Sequence, residues 1–177
     1  TFDITTIRAS TGQYLVSKWI SEHTNIKVLL IGDGSDELTA GYMYFHKAPS
    51  PFDLHQENKK LLTEIHYYDV LRADRGIATH GLEARVPFLD YKFVDLYMHI
   101  DPILRIPSKH TINEHTSIYE KYLLRKSFDS TDYLPKCVLW RRKEAFSDGI
   151  SSNANSWYKI IQDQINLKIS DEYFEIN

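Results

Sequence analysis

The sequence predicts an α/β fold that is mostly helical, with one parallel-type strand near its start. Three observations predict it. Apolar residues recur at steps of three and four over much of the chain, which is helical spacing. One short apolar run, Val28 to Ile31, stands between Asn25 and Gly32, with the length and flanking turn residues of a buried parallel strand. A lone strand cannot form a sheet, so its partner strands are expected in sequence upstream of Thr1.

The elements follow in order. Ile7, Thr11, Leu15 and Trp19, widened by Val16 and Ile20, predict a helix over 7–21 that Thr5 or Thr6 would cap. The strand comes next, then Asp33-Gly34-Ser35-Asp36-Glu37. Ala48-Pro49-Ser50-Pro51 reads as a turn or linker. Leu54, Leu61, Ile65 and Tyr68 then share one face of a long helix extending toward His80. Phe93, Leu96, Tyr97 and Ile100 mark a helix entered at Asp90, which would cap it. Pro102 and Pro107 bracket a loop. Tyr119, Leu123 and Leu124 predict another helix, and Trp157, Ile160, Ile161 and Ile165 a last one. Two parts are expected: a strand–loop–helix part over 1–47 and a helical part over 52–177.

Composition narrows the function classes. The chain has 177 residues, enough for one domain with a core. Its formal net charge of −3 does not suggest a nucleic-acid surface. No apolar run reaches the length of a membrane span, and no signal-peptide pattern opens the chain. Cys137 is the only cysteine, which excludes an internal disulfide and favours a reducing, cytoplasmic compartment. Thr1 opens directly in polar sequence and Asn177 follows an amphipathic segment, so both ends are read as cuts in a longer protein. The eight histidines show no zinc-site spacing.

Gly32-x-Gly34 directly after a strand is the geometry of an anion site at a strand's C-terminal edge. A plain turn has the same glycines. Asp33, Asp36 and Glu37 suit either a reacting site or the first turn of a helix. Thr5 and Thr6 can donate hydroxyls to phosphate oxygens, and Arg8 can clamp two oxygens at once. The plainer alternatives are a helix cap and a surface charge. Lys143 reads either as a phosphate cation or as a solvated lysine.

Four stretches, in order, resemble the asparagine synthetase family. They are Asp3 to Ser10, Ile31 to Glu37 with Gly41 to Pro49, His80 to Asp90, and Trp140 to Gly149. The resemblance covers nearly the whole chain and implies a portion of an adenine nucleotide alpha hydrolase-like (ATP pyrophosphatase) domain. It also implies an activity in the parent protein. ATP would activate the side-chain carboxylate of aspartate as β-aspartyl-AMP, releasing pyrophosphate. Ammonia from a separate N-terminal glutaminase domain would then form asparagine. ATP and Mg2+ are the implied cofactors, aspartate and ammonia the partners, and a homodimer is allowed.

The resemblance assigns roles residue by residue. Ile31, Gly32, Gly34 and Ser35 fall in the loop that touches the adenylate and pyrophosphate. Asp33 falls on the acid tied to forming and consuming β-aspartyl-AMP, and Asp36 on a magnesium ligand. Thr5, Thr6 and Arg8 match a trio near the pyrophosphate, and Lys143 a lysine that holds it. Glu83 reads as a second carboxylate facing the aspartate or its leaving group, since β-lactam-forming relatives use an acid in this neighbourhood; its rival reading is an internal ion pair with Arg85 or Arg72. Arg141 and Arg142 read as support or surface. The commonest family loop begins Ser-Gly-Glu-Gly, where this chain has Ile31-Gly32-Asp33-Gly34. Asp33 keeps the charge with a shorter reach, and Ile31 removes a hydroxyl. The family's Ser-Gly-Gly-x-Asp-Ser pyrophosphate loop and its N-terminal nucleophilic cysteine have no counterpart in these residues, so the chain is expected to be inactive alone. Two other readings stay open: a β-lactam synthetase-like ligase, and a non-catalytic helical interaction module. The stretch Tyr44 to Pro49 and the charge of Asp33 favour the asparagine-forming branch over the first. Ile31 alone speaks for the second.

Overall fold

The computed structural model describes residues 4–112, 114–149, 151 and 156–169. Asp3, in the first of the four stretches, and both chain ends lie outside the described residues. The described chain is mostly helical, with two small two-stranded sheets.

Helix α1 spans Ile4–His23, longer at both ends than predicted. It starts ahead of Thr5 and Thr6, so these lie in its first turn and neither is its cap. The expected apolar stripe faces the wrong way. Ile7, Leu15, Val16 and Trp19 are exposed, Trp19 by 57%. The buried side carries Gly12 and Ser17 instead. The cause is a close helix crossing. Helix α4 (Asp69–Ala78) brings Gly76 against α1, where a Cβ would stand 3.7 Å from the Cβ of Gln13 and 3.8 Å from the nitrogen of Tyr14. Small residues permit that approach, and apolar bulk would prevent it.

Strand β1 (Val28–Leu30) is parallel, as predicted, but a partner expected upstream of Thr1 lies within the chain: β1 pairs with β2 (Glu83–Arg85), a stretch too short and polar to read as a strand, in the register Val28↔Glu83 to Leu30↔Arg85. It is not buried. Val28 is exposed, and Leu30 is 78% exposed. Only the inward residue, Leu29, joins Ile20, Ile31 and Ala84 around the core of Ala73, Ile77 and Leu82. A two-stranded sheet covers one edge of each strand, and no further strand pairs with β1 among the described residues.

After β1, Gly34 takes φ +87° and opens the single-turn α2 (Ser35–Leu38). A side chain at Gly34 would overlap Leu89, so the left-handed turn needs glycine for both φ and space. Helix α3 (Pro51–Glu64) starts where the turn was predicted: Ser50 Oγ accepts from the amide of Asp53 at 3.1 Å, and Pro51 occupies the first helical position. Leu54 packs with Ala40 and Phe45 in a second core. The predicted long helix is two. A 3-10 turn at Ile65–Tyr67 and the non-helical Tyr68 separate α3 from α4.

Asp90 caps α5 (Tyr91–His99) as predicted, accepting from the amides of Lys92 and Phe93 at 3.0 and 3.2 Å. The expected loop between Pro102 and Pro107 contains one helical turn, α6 (Pro102–Arg105). Next comes an antiparallel hairpin, β3 (Ser108–Ile112) with β4 (His115–Tyr119), where the sequence suggested loop and helix. Tyr119 therefore ends a strand, and α7 (Tyr122–Phe128) follows after Lys121 at φ +55°. The short α8 (Lys136–Leu139) and α9 (Phe146–Gly149) precede α10 (Trp157–Asn166), the predicted last helix. The early and late parts interlock: β1 pairs with β2, and α1 packs on α4. Among the described residues no helix is long and apolar enough to cross a membrane. Cys137 is exposed with a free thiol.

Candidate functional site

A cleft of about 870 Å³ opens between α1, the end of β1, α2, the start of α4 and the segment 141–147. Its wall brings together Thr5, Arg8, Ile31, Gly32, Asp33, Asp36 and Lys143, which are scattered over nearly 140 positions of sequence. The remaining expected residues are not on the wall. Thr6 lies in the first turn of α1. Gly34 makes the turn. Ser35 is buried, and its hydroxyl accepts from Lys121 Nζ at 2.9 Å. Glu83 pairs with Arg85 at 2.6 Å, both well exposed on the short sheet. Arg85 is one of the two ion-pair partners expected for Glu83, but the pair lies at the surface rather than inside the protein.

Asp36 is the electrostatic centre of the wall. Lys121 Nζ lies 2.8 Å from its Oδ1, and Lys143 Nζ lies 3.6 Å from its Oδ2. The Lys121 contact is an ion pair at good distance, though Oδ1 is not aligned to accept a hydrogen bond. Gly41 makes this packing possible. A Cβ there would collide with the Asp36 carboxylate and stand 2.5 Å from Lys121 Cε. Lys143 also sits 5.5 Å from the centre of the Tyr42 ring, within cation–π range. Arg8 is held at 3.0 Å by Asp148 and rests 5.5 Å from the Tyr158 ring.

Asp33 is half-buried, and burial pushes its carboxyl up to about 6. The negative charges of Asp69 and Asp36 push the same way, and Arg72 opposes them. Burial also raises the Glu37 carboxyl, while a short hydrogen bond from the Tyr42 hydroxyl lowers it. Burial, followed by the Glu37 charge, drives the Tyr42 hydroxyl far up, so it stays a donor.

Several cleft residues escaped sequence reasoning. Asp69 and Arg72 pair on the wall through a short i,i+3 contact at the start of α4. The spacing alone looks like any helix surface pair. Tyr42 stands in a recognised stretch but had no assigned role. Arg141, read as support or surface, lines the cleft. Lys121 stands behind Asp36, and no sequence signal separates it from a solvated lysine.

Buried under α2 is a polar column. Asn58 donates to the Glu37 carbonyl at 2.5 Å and accepts from Arg105 Nη1 at 3.4 Å. Arg105 is 1% exposed and also donates to the Ile100 carbonyl at 3.1 Å and to His55 Nδ1 at 2.6 Å. A guanidinium only donates, so His55 accepts there as a neutral ring. The column ties the acidic turn of α2 to α3 and α6.

A half-enclosed cleft edged with clustered carboxylates, four cations and a carboxyl displaced toward neutrality has the make-up of a polar-ligand site. The comparisons agree on its family. A model described as asparagine synthase matches residues 2–61 and 52–174. The chain is 54% identical over 172 residues to asparagine synthetase (glutamine-hydrolyzing) of Cricetulus griseus, covering 97% of this chain and 29% of that protein. It is 54% identical over 175 residues to the Gallus gallus protein of that name, covering 99% and 30%. For the Homo sapiens protein it is 53% over 171 residues, covering 97% and 29%. The chain belongs to the asparagine synthase family. It spans less than a third of the length of these curated relatives.

Proposed function

We propose that this chain supplies one side of the ATP site of an amide-forming ligase that converts aspartate to asparagine with ammonia derived from glutamine. The observation that carries this reading is the convergence of Arg8, Asp33, Asp36 and Lys143 on one cleft. Membership of the asparagine synthase family supports it. The adenine nucleotide alpha hydrolase-like fold belongs to the same proposal, with further strands beside β1 and a glutaminase domain elsewhere in the full-length protein.

The wall suits a polyphosphate that arrives with a divalent cation. It carries five carboxylates, Asp33, Asp36, Glu37, Asp69 and Glu144, against four cations, Arg8, Arg72, Arg141 and Lys143. A bare tetra-anion would meet little net attraction there. Among the described residues no three His, Cys, Asp or Glu side chains are grouped to hold a metal alone. Magnesium commonly takes one or two carboxylates and completes its shell with phosphate oxygens and water, and Asp36, with Asp33 nearby, fits that need. When bound, the metal would neutralise charge on the phosphates.

The chain's own residues do the rest. Lys143 exchanges its long contact with Asp36 for phosphate oxygens, while Lys121 stays on Asp36 and keeps that carboxylate from being left unpaired. Arg8, already fixed by Asp148, presents its guanidinium to the leaving pyrophosphate. Asp33, poised near neutrality, stands where a carboxylate can follow the acyl-adenylate from formation to attack by ammonia. Thr5 adds a hydroxyl, and the backbone of Ile31 and Gly32 lets the nucleotide approach. Glu83 would first give up Arg85 before meeting substrate. The test is aspartate-dependent incorporation of labelled pyrophosphate into ATP by the full-length protein. Exchange that requires aspartate is expected; none under any magnesium concentration would overturn the reading.

A further inference from the structure

The Asp69–Arg72 pair is more than a helix surface contact. Both side chains are largely withdrawn, at 27% and 12% exposure, yet both line the cleft. Arg72 also uses little of its capacity. Among the described residues its one hydrogen bond runs from Nη2 to Asp69 Oδ1, whereas a guanidinium carries five N–H donors. None of its nitrogens is a buried atom lacking a partner, so the unused donors reach solvent on a residue that lines the cleft. Asp33 lies within electrostatic reach of Asp69, Arg72 and Asp36. The pair therefore stands beside the carboxylates given to the chemistry, on a wall shared with the apolar Leu29, Ile31 and Ile77.

An adjacent anion and cation match an α-amino acid, whose α-ammonium and α-carboxylate are one carbon apart. We infer that Asp69 and Arg72 anchor the amino-acid substrate. Arg72 takes the α-carboxylate in a two-pronged contact, and Asp69 takes the α-ammonium. The side-chain carboxylate is then left free to face Asp33 and the nucleotide. On binding, each member of the pair trades its partner for a substrate group of the same sign as that partner, so no buried charge is stranded. The apolar wall excludes water and strengthens both contacts. This inference rests on the ligase reading and gives it a substrate-selecting element.

The experiment uses the full-length protein and aspartate-dependent ATP–pyrophosphate exchange. Two analogues need no mutation: succinate lacks the α-ammonium, and 3-aminopropanoate lacks the α-carboxylate. Each should support exchange at least about 100-fold less well than aspartate, because each leaves one partly buried charge unpaired. Arg72→Lys should raise the KM for aspartate about 10-fold or more, through loss of the two-pronged contact, and leave the KM for ATP within about 2-fold. Asp69→Asn should narrow the preference for aspartate over succinate to about 10-fold or less. Proportional loss for ATP and aspartate in both variants would mean a purely structural pair and overturn the inference. So would analogues that perform as well as aspartate in the unmodified protein. No exchange with aspartate in the unmodified protein would instead defeat the ligase reading itself, and this inference with it.

Discussion

Asn58→Ala tests whether the acidic turn of the cleft is held from below. Asn58 is fully buried. Its amide donates to the Glu37 carbonyl at 2.5 Å, and its oxygen accepts from Arg105 at 3.4 Å. Truncation strands the Glu37 carbonyl, which costs about 1 to 3 kcal/mol. The longer Arg105 contact adds roughly 1 kcal/mol at most, since Arg105 keeps Ile100 and His55. The expected loss is about 1 to 4 kcal/mol, and at about 2 to 4 °C per kcal/mol it should lower the Tm by about 2 to 16 °C. Urea unfolding should show the midpoint falling with the slope unchanged. Asn58→Asp separates the two contacts: it offers Arg105 a carboxylate but cannot donate to the Glu37 carbonyl. A loss below about 0.5 kcal/mol for Asn58→Ala, the size of an ordinary surface change, would refute the column.

Three further outcomes follow from the charges and the packing. Burial, then the Arg105 charge and Lys59, lowers the His55 pKa; the unfolded ring therefore takes a proton first, and stability should fall as pH drops below the ordinary value of 6.5. His55→Gln keeps an acceptor for Arg105 and should flatten that decline in a pH series of urea midpoints. Asp33 has the opposite sign: its folded carboxyl, raised from 3.8 to about 6, favours the proton, so ionised Asp33 opposes folding above about pH 6. Asp33→Asn should raise the Tm at pH 8, with the gain fading toward pH 4; an equal gain at both ends would contradict the burial argument. Gly41→Ala should push Asp36 off Lys121 and cost about 1 to 3 kcal/mol of stability by overpacking, with a larger drop in pyrophosphate exchange than Ser50→Gly, a helix-cap change away from the cleft, produces.

The legible parts were those with local chemistry of their own. Asp90 announced α5 because a cap carboxylate before an apolar run has few other uses. Val28 to Ile31 announced a parallel strand by length and composition, but among the described residues only β2 pairs with it, so Val28 and Leu30 stay exposed. The stripe on α1 misled for a related reason. Its apolar face is real, but within the described residues the contact surface is the small-residue face that Gly76 approaches. The β3–β4 hairpin was hidden because its residues are polar and its pairing shows only in register, with Thr111 and Thr116 sharing a 2.7 Å hydroxyl contact. In the cleft, motif residues were readable because their spacing is distinctive. Lys121, Asp69 and Arg72 were not, because a lysine before a helix and an i,i+3 pair become informative only once the fold turns them toward Asp36 and Asp33. Arg105 has a fully buried side chain, and nothing in Pro102 to Pro107 marks it.

Lys143 offers the most direct test of the central claim, that residues from both ends of the chain form one pyrophosphate-releasing site. In the full-length protein, Lys143→Ala should lower aspartate-dependent ATP–pyrophosphate exchange by about 10²- to 10³-fold, the usual cost of losing one preorganised charge at a developing anion. Glutamate release from glutamine, measured on the same preparation, should hold its rate, and Lys143→Arg should restore exchange only partly because its donors are differently placed. Exchange unchanged by Lys143→Ala would contradict the account, as would equal loss of exchange and glutamine hydrolysis.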